Sequence, residues 1–256
     1  MSHLDLSKEF VGLRALVTGG SRGIGGSIAQ RLIDGGATVA VTARARHEQT
    51  PAKATFIQGD LRSKEGVEAI AAQALKALGG LDILVNNAGA ARVYLPGSTA
   101  IPDEEWLDSL NINLLAVVRL NNALLPALSE SKAASIINIG AVPGNAPPPP
   151  LAHYVAAKAA LNAYARSLAA ELAPKKIRVN TVTPGGVVTP GGDEVRKTIT
   201  DALGIPPEAL LSKIPLGVFG QPEDLSEFVS LIASPTRGRW ITGQNFYVDG
   251  GMSGAT

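Results

Sequence analysis

The sequence predicts an α/β fold, a doubly wound parallel sheet of about seven strands between two helical layers. Three observations predict it. Apolar, β-rich runs alternate with helical patterns along the whole chain. The strand runs are apolar almost throughout, as strands covered on both faces must be. A glycine-rich turn joins the first strand to the first helix, the place where such sheets hold ligands.

The elements follow in order. "ALVTGG" (15–20) reads as a strand, and "GIGGSIAQRLIDGG" as a helix ending in glycines. "ATVAVTAR" (37–44) is the second strand and "ATFIQGD" (54–60) the third. The run 63–80 is a helix with a serine start and a glycine stop. Further strands fall at 81–89, 134–140, 177–185 and 245–251, and long helices at about 104–129, 154–173 and 222–233. Right-handed crossovers wind the sheet both ways. No repeat or linker interrupts the series, so one domain over 1–256 is expected. The segment 186–220 shows no clear strand or helix order and reads as a long lid or binding loop.

Composition narrows the function. Of 256 residues, 45% are hydrophobic and 18% charged, enough for a sizeable core. The net charge of +1 gives no attraction to nucleic acid or membrane. Cysteine is absent, so thiolate chemistry is excluded. The start lacks a secretory pattern, and the apolar helices at 107–128 and 154–173 are interrupted by Arg119, Lys158 and Arg166. A soluble, cytoplasmic protein is expected. No His, Asp and Glu cluster stands at ligand spacing, so no metal is expected.

Between the first strand and helix, Gly19, Gly23 and Gly25 build a phosphate cradle. Glycine permits the tight turn, and a helix N-terminus presents free N–H groups. Ser21, Arg22 and Ile24 lie within the same turn as candidate cofactor contacts. The spacing differs from both the G-x-G-x-x-G fingerprint and the P-loop. At the end of the second strand, roughly 20 positions on, an NAD-binding chain carries an acid. Here stand Ala43 and Arg44. An arginine pairs with a 2′-phosphate that a carboxylate repels, so NADP(H) is favoured over NAD, with Arg22 as a second cation. Asp60, with Leu61 beside it, closes the third strand and is placed to accept from an adenine amino group. In "NNAG" (86–89), the asparagines tie the loop to neighbouring strands while Gly89 permits close approach of the cofactor.

Tyr154 and Lys158 stand at i and i+4, on one face of a helix. A cation beside a phenol lowers its pKa and suits it to acid/base work on a carbonyl or alcohol.

Thr18-Gly19-x-x-x-Gly23-Ile24-Gly25, Asn86-Asn87-Ala88-Gly89, Tyr154-x-x-x-Lys158 and Pro184-Gly185 appear in this order. With them the chain resembles the short-chain dehydrogenase/reductase family, in particular its 3-oxoacyl reductases, from about residue 9 to residue 252. The resemblance implies a Rossmann-type fold, a homotetramer or homodimer, and hydride transfer between a nicotinamide cofactor and a small-molecule ketone or alcohol. It assigns Tyr154 as acid/base and Lys158 as the ribose-binding residue that tunes it. Asn113 matches the asparagine that holds a relay water, ahead of Asn111. Pro184, Gly185, Val187 and Thr189 match the segment that positions the nicotinamide, and Asn87 and Gly89 match residues that line the cofactor.

One position departs from the family. Where the catalytic serine belongs, at the end of the fifth strand, stands Ala141. Ser135 lies a whole strand upstream and is no substitute. Three accounts stay open: a designed serine-to-alanine change, a natural enzyme relying on Tyr154 alone, and a natural nucleotide-binding protein with a regulatory or scaffolding role. The four prolines at 147–150 read as a rigid wall of the substrate cleft. His153 reads as a neutral, partly exposed histidine. The pocket is expected from Ala91, Arg92, Val93 and Tyr94, from 141–150 and from 186–220.

Overall fold

The structure, a computed structural model, describes residues 5–141 and 148–254. Seven parallel strands form one sheet: β1 Arg14–Thr18, β2 Thr38–Ala43, β3 Thr55–Gln58, β4 Ile83–Asn86, β5 Ser135–Ile139, β6 Arg178–Pro184 and β7 Asn245–Val248. Their order is β3-β2-β1-β4-β5-β6-β7. The order reverses between β1 and β4, where a crevice opens beyond the strand C-termini.

Alternating strand residues face the two helical layers. Leu16, Leu84 and Ile136 pack with α2 (Lys64–Leu78), α4 (Ala116–Ser129) and α5 (Ala152–Leu172). Val17, Val85 and Ile137 face α1 (Gly23–Asp34) and α7 (Pro222–Ala233). Both sets are buried, which explains why the strands read as unbroken apolar runs.

Two predicted elements differ. The long helix at 104–129 is two helices, α3 (Asp103–Leu110) and α4, joined by a π turn over Asn111–Leu115. The whole run is long and apolar enough to cross a membrane by length and composition, yet it packs against α2 and α5. Within 186–220, expected as a loop, lies α6 (Pro190–Leu203). Thr189 Oγ1 caps its start, Pro190 supplies the first position and Gly204 ends it in the left-handed region. A 3-10 turn over Pro207–Lys213 follows.

Candidate active site

The glycine turn leads into α1. Arg22, extended and without a side-chain capping bond, precedes Gly23. The first N–H groups of α1 therefore face outward with the positive end of the helix dipole. Gly25 has no room for a side chain, since a Cβ there would overlap Asn87 Nδ2 and the Gly19 carbonyl. A Cβ on Gly23 would lie 3.4 Å from Thr189 Cγ2, so the segment after β6 reaches back over the turn.

Thr18 and Asn87 lock the turn to the end of β4. The Thr18 hydroxyl accepts from Asn87 N (3.0 Å) and Ala88 N (2.9 Å), and Asn87 Nδ2 donates to the Thr18 carbonyl (2.8 Å). Asn86 Nδ2 donates to Asn121 and Asn138, so both asparagines of "NNAG" tie strands as expected. The structural part of Thr18 is visible only once β1 and β4 are seen to be neighbours.

Ser21 is buried in the turn, and Arg22 and Ile24 sit at its rim. Arg22 and Arg44 are exposed. Arg44 follows β2, which runs beside β1, so it leaves the sheet at the same edge as Gly19, whose N–H donates to the Thr42 carbonyl. Asp60 is exposed two residues past β3 and accepts from Arg62 N. Leu61 turns into the core.

Asn113 and Lys158 converge on Gly89, and Tyr154 stands one helical turn before Lys158. Asn113 is fully buried in the π turn. It holds Ala90 from both sides, Nδ2 donating to the Ala90 carbonyl (2.9 Å) and Oδ1 accepting from Ala90 N (3.1 Å). A Cβ on Gly89 would lie 2.7 Å from Asn113 Oδ1 and 3.3 Å from Lys158 Nζ. Asn111 points elsewhere, donating to the Arg62 carbonyl and accepting from Arg119.

Lys158, 3% exposed, donates to the Ile139 carbonyl at the end of β5, 2.8 Å away. Its Nζ lies 6.0 Å from the Tyr154 ring centre. Burial pushes the ammonium down to about 8 and the half-buried Tyr154 phenol up to about 12. This runs against the expectation that the cation lowers the phenol: desolvation alone sets the direction of the Tyr154 shift. A neutral phenol donates a proton, which suits the reductive direction.

Ala141 follows Gly140, whose N–H donates to the Val182 carbonyl, and stands half-buried at the C-terminal end of β5 with no hydroxyl to offer. Ser135 opens that strand, about 20 Å away at 3.3 Å per residue. Pro184 closes β6, and Gly185 N donates to the Val248 carbonyl. Val187 is buried, and its carbonyl accepts from Arg196. Of the four prolines expected as a wall, Pro147 lies outside the described residues with the rest of 142–147, while Pro149 and Pro150 open a 3-10 turn (Pro149–Leu151) that leads into α5.

His153 is 2% exposed, not partly exposed as expected. Its ring meets Tyr94 at 5.8 Å and Trp106 at 6.1 Å, both edge to face. Burial lowers its pKa, with Arg92 lowering it further against a raising influence from Glu105.

The family profile described as enoyl-(acyl carrier protein) reductase matches residues 19–253. The chain is 36% identical over 246 residues to the 3-oxoacyl-(acyl-carrier-protein) reductase FabG of Haemophilus influenzae, covering 93% of this chain and 97% of that one. It is 37% identical over 248 residues to the FabG of Staphylococcus aureus, with the same coverage of both chains. Among solved structures, L-sorbose reductase from Gluconobacter frateurii, complexed with NADPH and L-sorbose, matches with a TM-score of 0.88 at 29% identity over 98% of this chain and all of that one. Ligand-free aldohexose dehydrogenase from Thermoplasma acidophilum matches at 0.86 and 28%, over 97% of each chain. The chain belongs to the short-chain dehydrogenase/reductase family, whose members are oxidoreductases that use NAD(P)(H).

Proposed function

We propose that this single-domain chain is an NADP(H)-dependent oxidoreductase that interconverts a ketone and a secondary alcohol, slowed by alanine at position 141. The observation that carries the proposal is the meeting of Asn113 and Lys158 at Gly89, with Tyr154 beside Lys158, together with the uncapped start of α1.

The residues present fit the cofactor. Gly19, Ser21, Gly23, Ile24 and Gly25 form the phosphate turn, with Arg22 and Arg44 exposed at its edge for a 2′-phosphate. Asp60 and the Leu61 backbone serve the adenine, Asn87 and Gly89 line the ribose, and Pro184, Gly185, Val187 and Thr189 orient the ring. When bound, NADP(H) supplies or accepts the hydride. Tyr154 gives its proton to the carbonyl oxygen in reduction and takes it back in oxidation. Lys158 holds the ribose, and Asn113 anchors the relay that returns a proton to Tyr154. Ala141 gives no second hydrogen bond to the substrate oxygen, a loss worth roughly 10²- to 10³-fold in rate.

A ketone substrate is supported by the relatives, since 3-oxoacyl groups and L-sorbose both carry one. Exposed Leu107 and Trp240 support self-association into a homodimer or homotetramer. The alternative is a regulatory or scaffolding protein that binds nucleotide with negligible turnover, and Ala141 is what favours it. NADPH oxidation with a panel of ketones separates the two. A gain of about two orders of magnitude in Ala141→Ser supports the enzyme. No turnover by either protein with any ketone supports the binder.

A further inference from the structure

We propose that His153 and Ser109 are positioning residues that fix the first turn of α5 and so aim the Tyr154 phenol. The proposal rests on the role given to Tyr154 above.

The first turn of α5 has little to hold it from within. It follows Pro148, Pro149 and Pro150, and its start at Leu151 has no side-chain cap. Proline carries no N–H, so this stretch ties itself down poorly. Its anchors come from other elements. Trp106 and Ser109 lie on α3, and Tyr94 lies in the loop after β4. The His153 ring fills the slot between Tyr94 and Trp106, at 5.8 and 6.1 Å. Ser109 Oγ donates to the His153 carbonyl (3.1 Å), and Asn113 Nδ2 donates to the Ser109 carbonyl (3.0 Å). Tyr94 N donates to the Pro150 carbonyl (2.9 Å). A continuous path thus joins Asn113, through Ser109, to the residue before Tyr154.

The slot suits a neutral ring. His153 Nδ1 is buried with no partner among the described residues. The charged groups facing it are Glu105 from α3 and Arg92 from the loop after β4, and these two pair with each other. The other titratable neighbours, Tyr94 and Tyr154, are phenols. An imidazolium formed there finds no dedicated counter-charge and must draw in water, which loosens the turn.

The test uses Trp240→Phe, which removes the exposed tryptophan and leaves Trp106 as the sole indole of the two in the chain. A protonated imidazole quenches a neighbouring indole, so Trp106 fluorescence reports on His153. With Ala141→Ser added for rate, kcat and fluorescence are expected to fall together as pH drops below the ordinary histidine range. His153→Phe fills the slot without titrating and is expected to abolish both falls. His153→Ala and Ser109→Ala are expected to lower kcat by about 10- to 100-fold with the NADPH Kd unchanged. Hydrogen exchange at residues 152–157 supplies a readout independent of turnover, expected to quicken in both alanine variants and stay slow in His153→Phe. Unchanged exchange in His153→Ala overturns the proposal, as does an acid fall in kcat that survives His153→Phe. Faster exchange without turnover in any variant, Ala141→Ser included, leaves the anchoring standing and sinks the proposed activity.

Discussion

Lys158 and Ile139 are joined by a hydrogen bond of 2.8 Å from the lysine ammonium to the last carbonyl of β5. No carboxylate contributes to the lysine's pKa, and burial brings it down to about 8. Such a charge is costly to the fold and useful to a ligand that can share it. Lys158→Met is expected to lose about 10²-fold in activity while gaining roughly 1–3 kcal/mol of stability. The sign follows from linkage. The folded pKa lies below the unfolded one, so the native lysine weakens the fold fully below about pH 8, and the penalty fades as pH rises towards 10.5, the ordinary lysine value. Chemical denaturation at pH 7 and pH 10 checks it, with the larger gain expected at pH 7.

Ala141→Ser is expected to raise carbonyl reduction by about 10²-fold and leave NADPH affinity as it was, because the new hydroxyl touches only the substrate oxygen. Steady-state kinetics with a fixed ketone, alongside a cofactor titration, separates the two quantities. Tighter NADPH binding without faster turnover would contradict the assignment.

Arg44→Glu is expected to weaken NADPH by about 10- to 100-fold, since a charged hydrogen bond worth roughly 1.5–3 kcal/mol becomes repulsion. NADH binding should change little. A thermal-shift titration with each nucleotide reads this directly. Stronger stabilisation of the parent chain by NAD than by NADP would remove the basis for NADP preference.

Glu9 lies far from the site and tests the frame. Its carboxylate, 1% exposed, takes two hydrogen bonds from Arg237 (2.6 and 2.7 Å) and a longer one from Arg31. Removing its charge leaves Arg237 without a carboxylate, while Arg31 keeps Glu227 (2.9 Å), so Glu9→Gln is expected to cost about 3 kcal/mol. Urea unfolding measures the loss, and kcat below the new melting range should match the parent.

The sheet was legible because its inner strands are buried on both faces and so are apolar without alternation, as in "ILV" of β4. The Tyr154–Lys158 spacing was legible because a helix turns it into a shared face. Helix α6 was not, because Gly191 and Gly192 blur its start and its exposed face is charged. The signs were nevertheless present in Thr189, Pro190 and Gly204, a cap, a first-turn proline and a terminator. The burial of His153 was out of reach, because Tyr94 and Trp106 are brought to it by other elements. The direction of the Tyr154 shift was missed for the same reason, since spacing gives neighbours but not desolvation.

The π turn at Asn111–Leu115 has a further consequence. From Ile112 the buried positions advance in fours, through Ala116, Leu120, Leu124 and Leu128. An ordinary helix turns about 100° per residue, so each such step overshoots a full revolution by about 40°. The wider turn takes up part of that slippage at the point where Asn113 must face Ala90. The Asn113–Ala90 contact and core packing thus share one helical run but are set to different phases, with the π turn as the joint between them. Deleting one residue there would leave the composition of the core almost untouched and rotate Leu120 and Leu124 away from it.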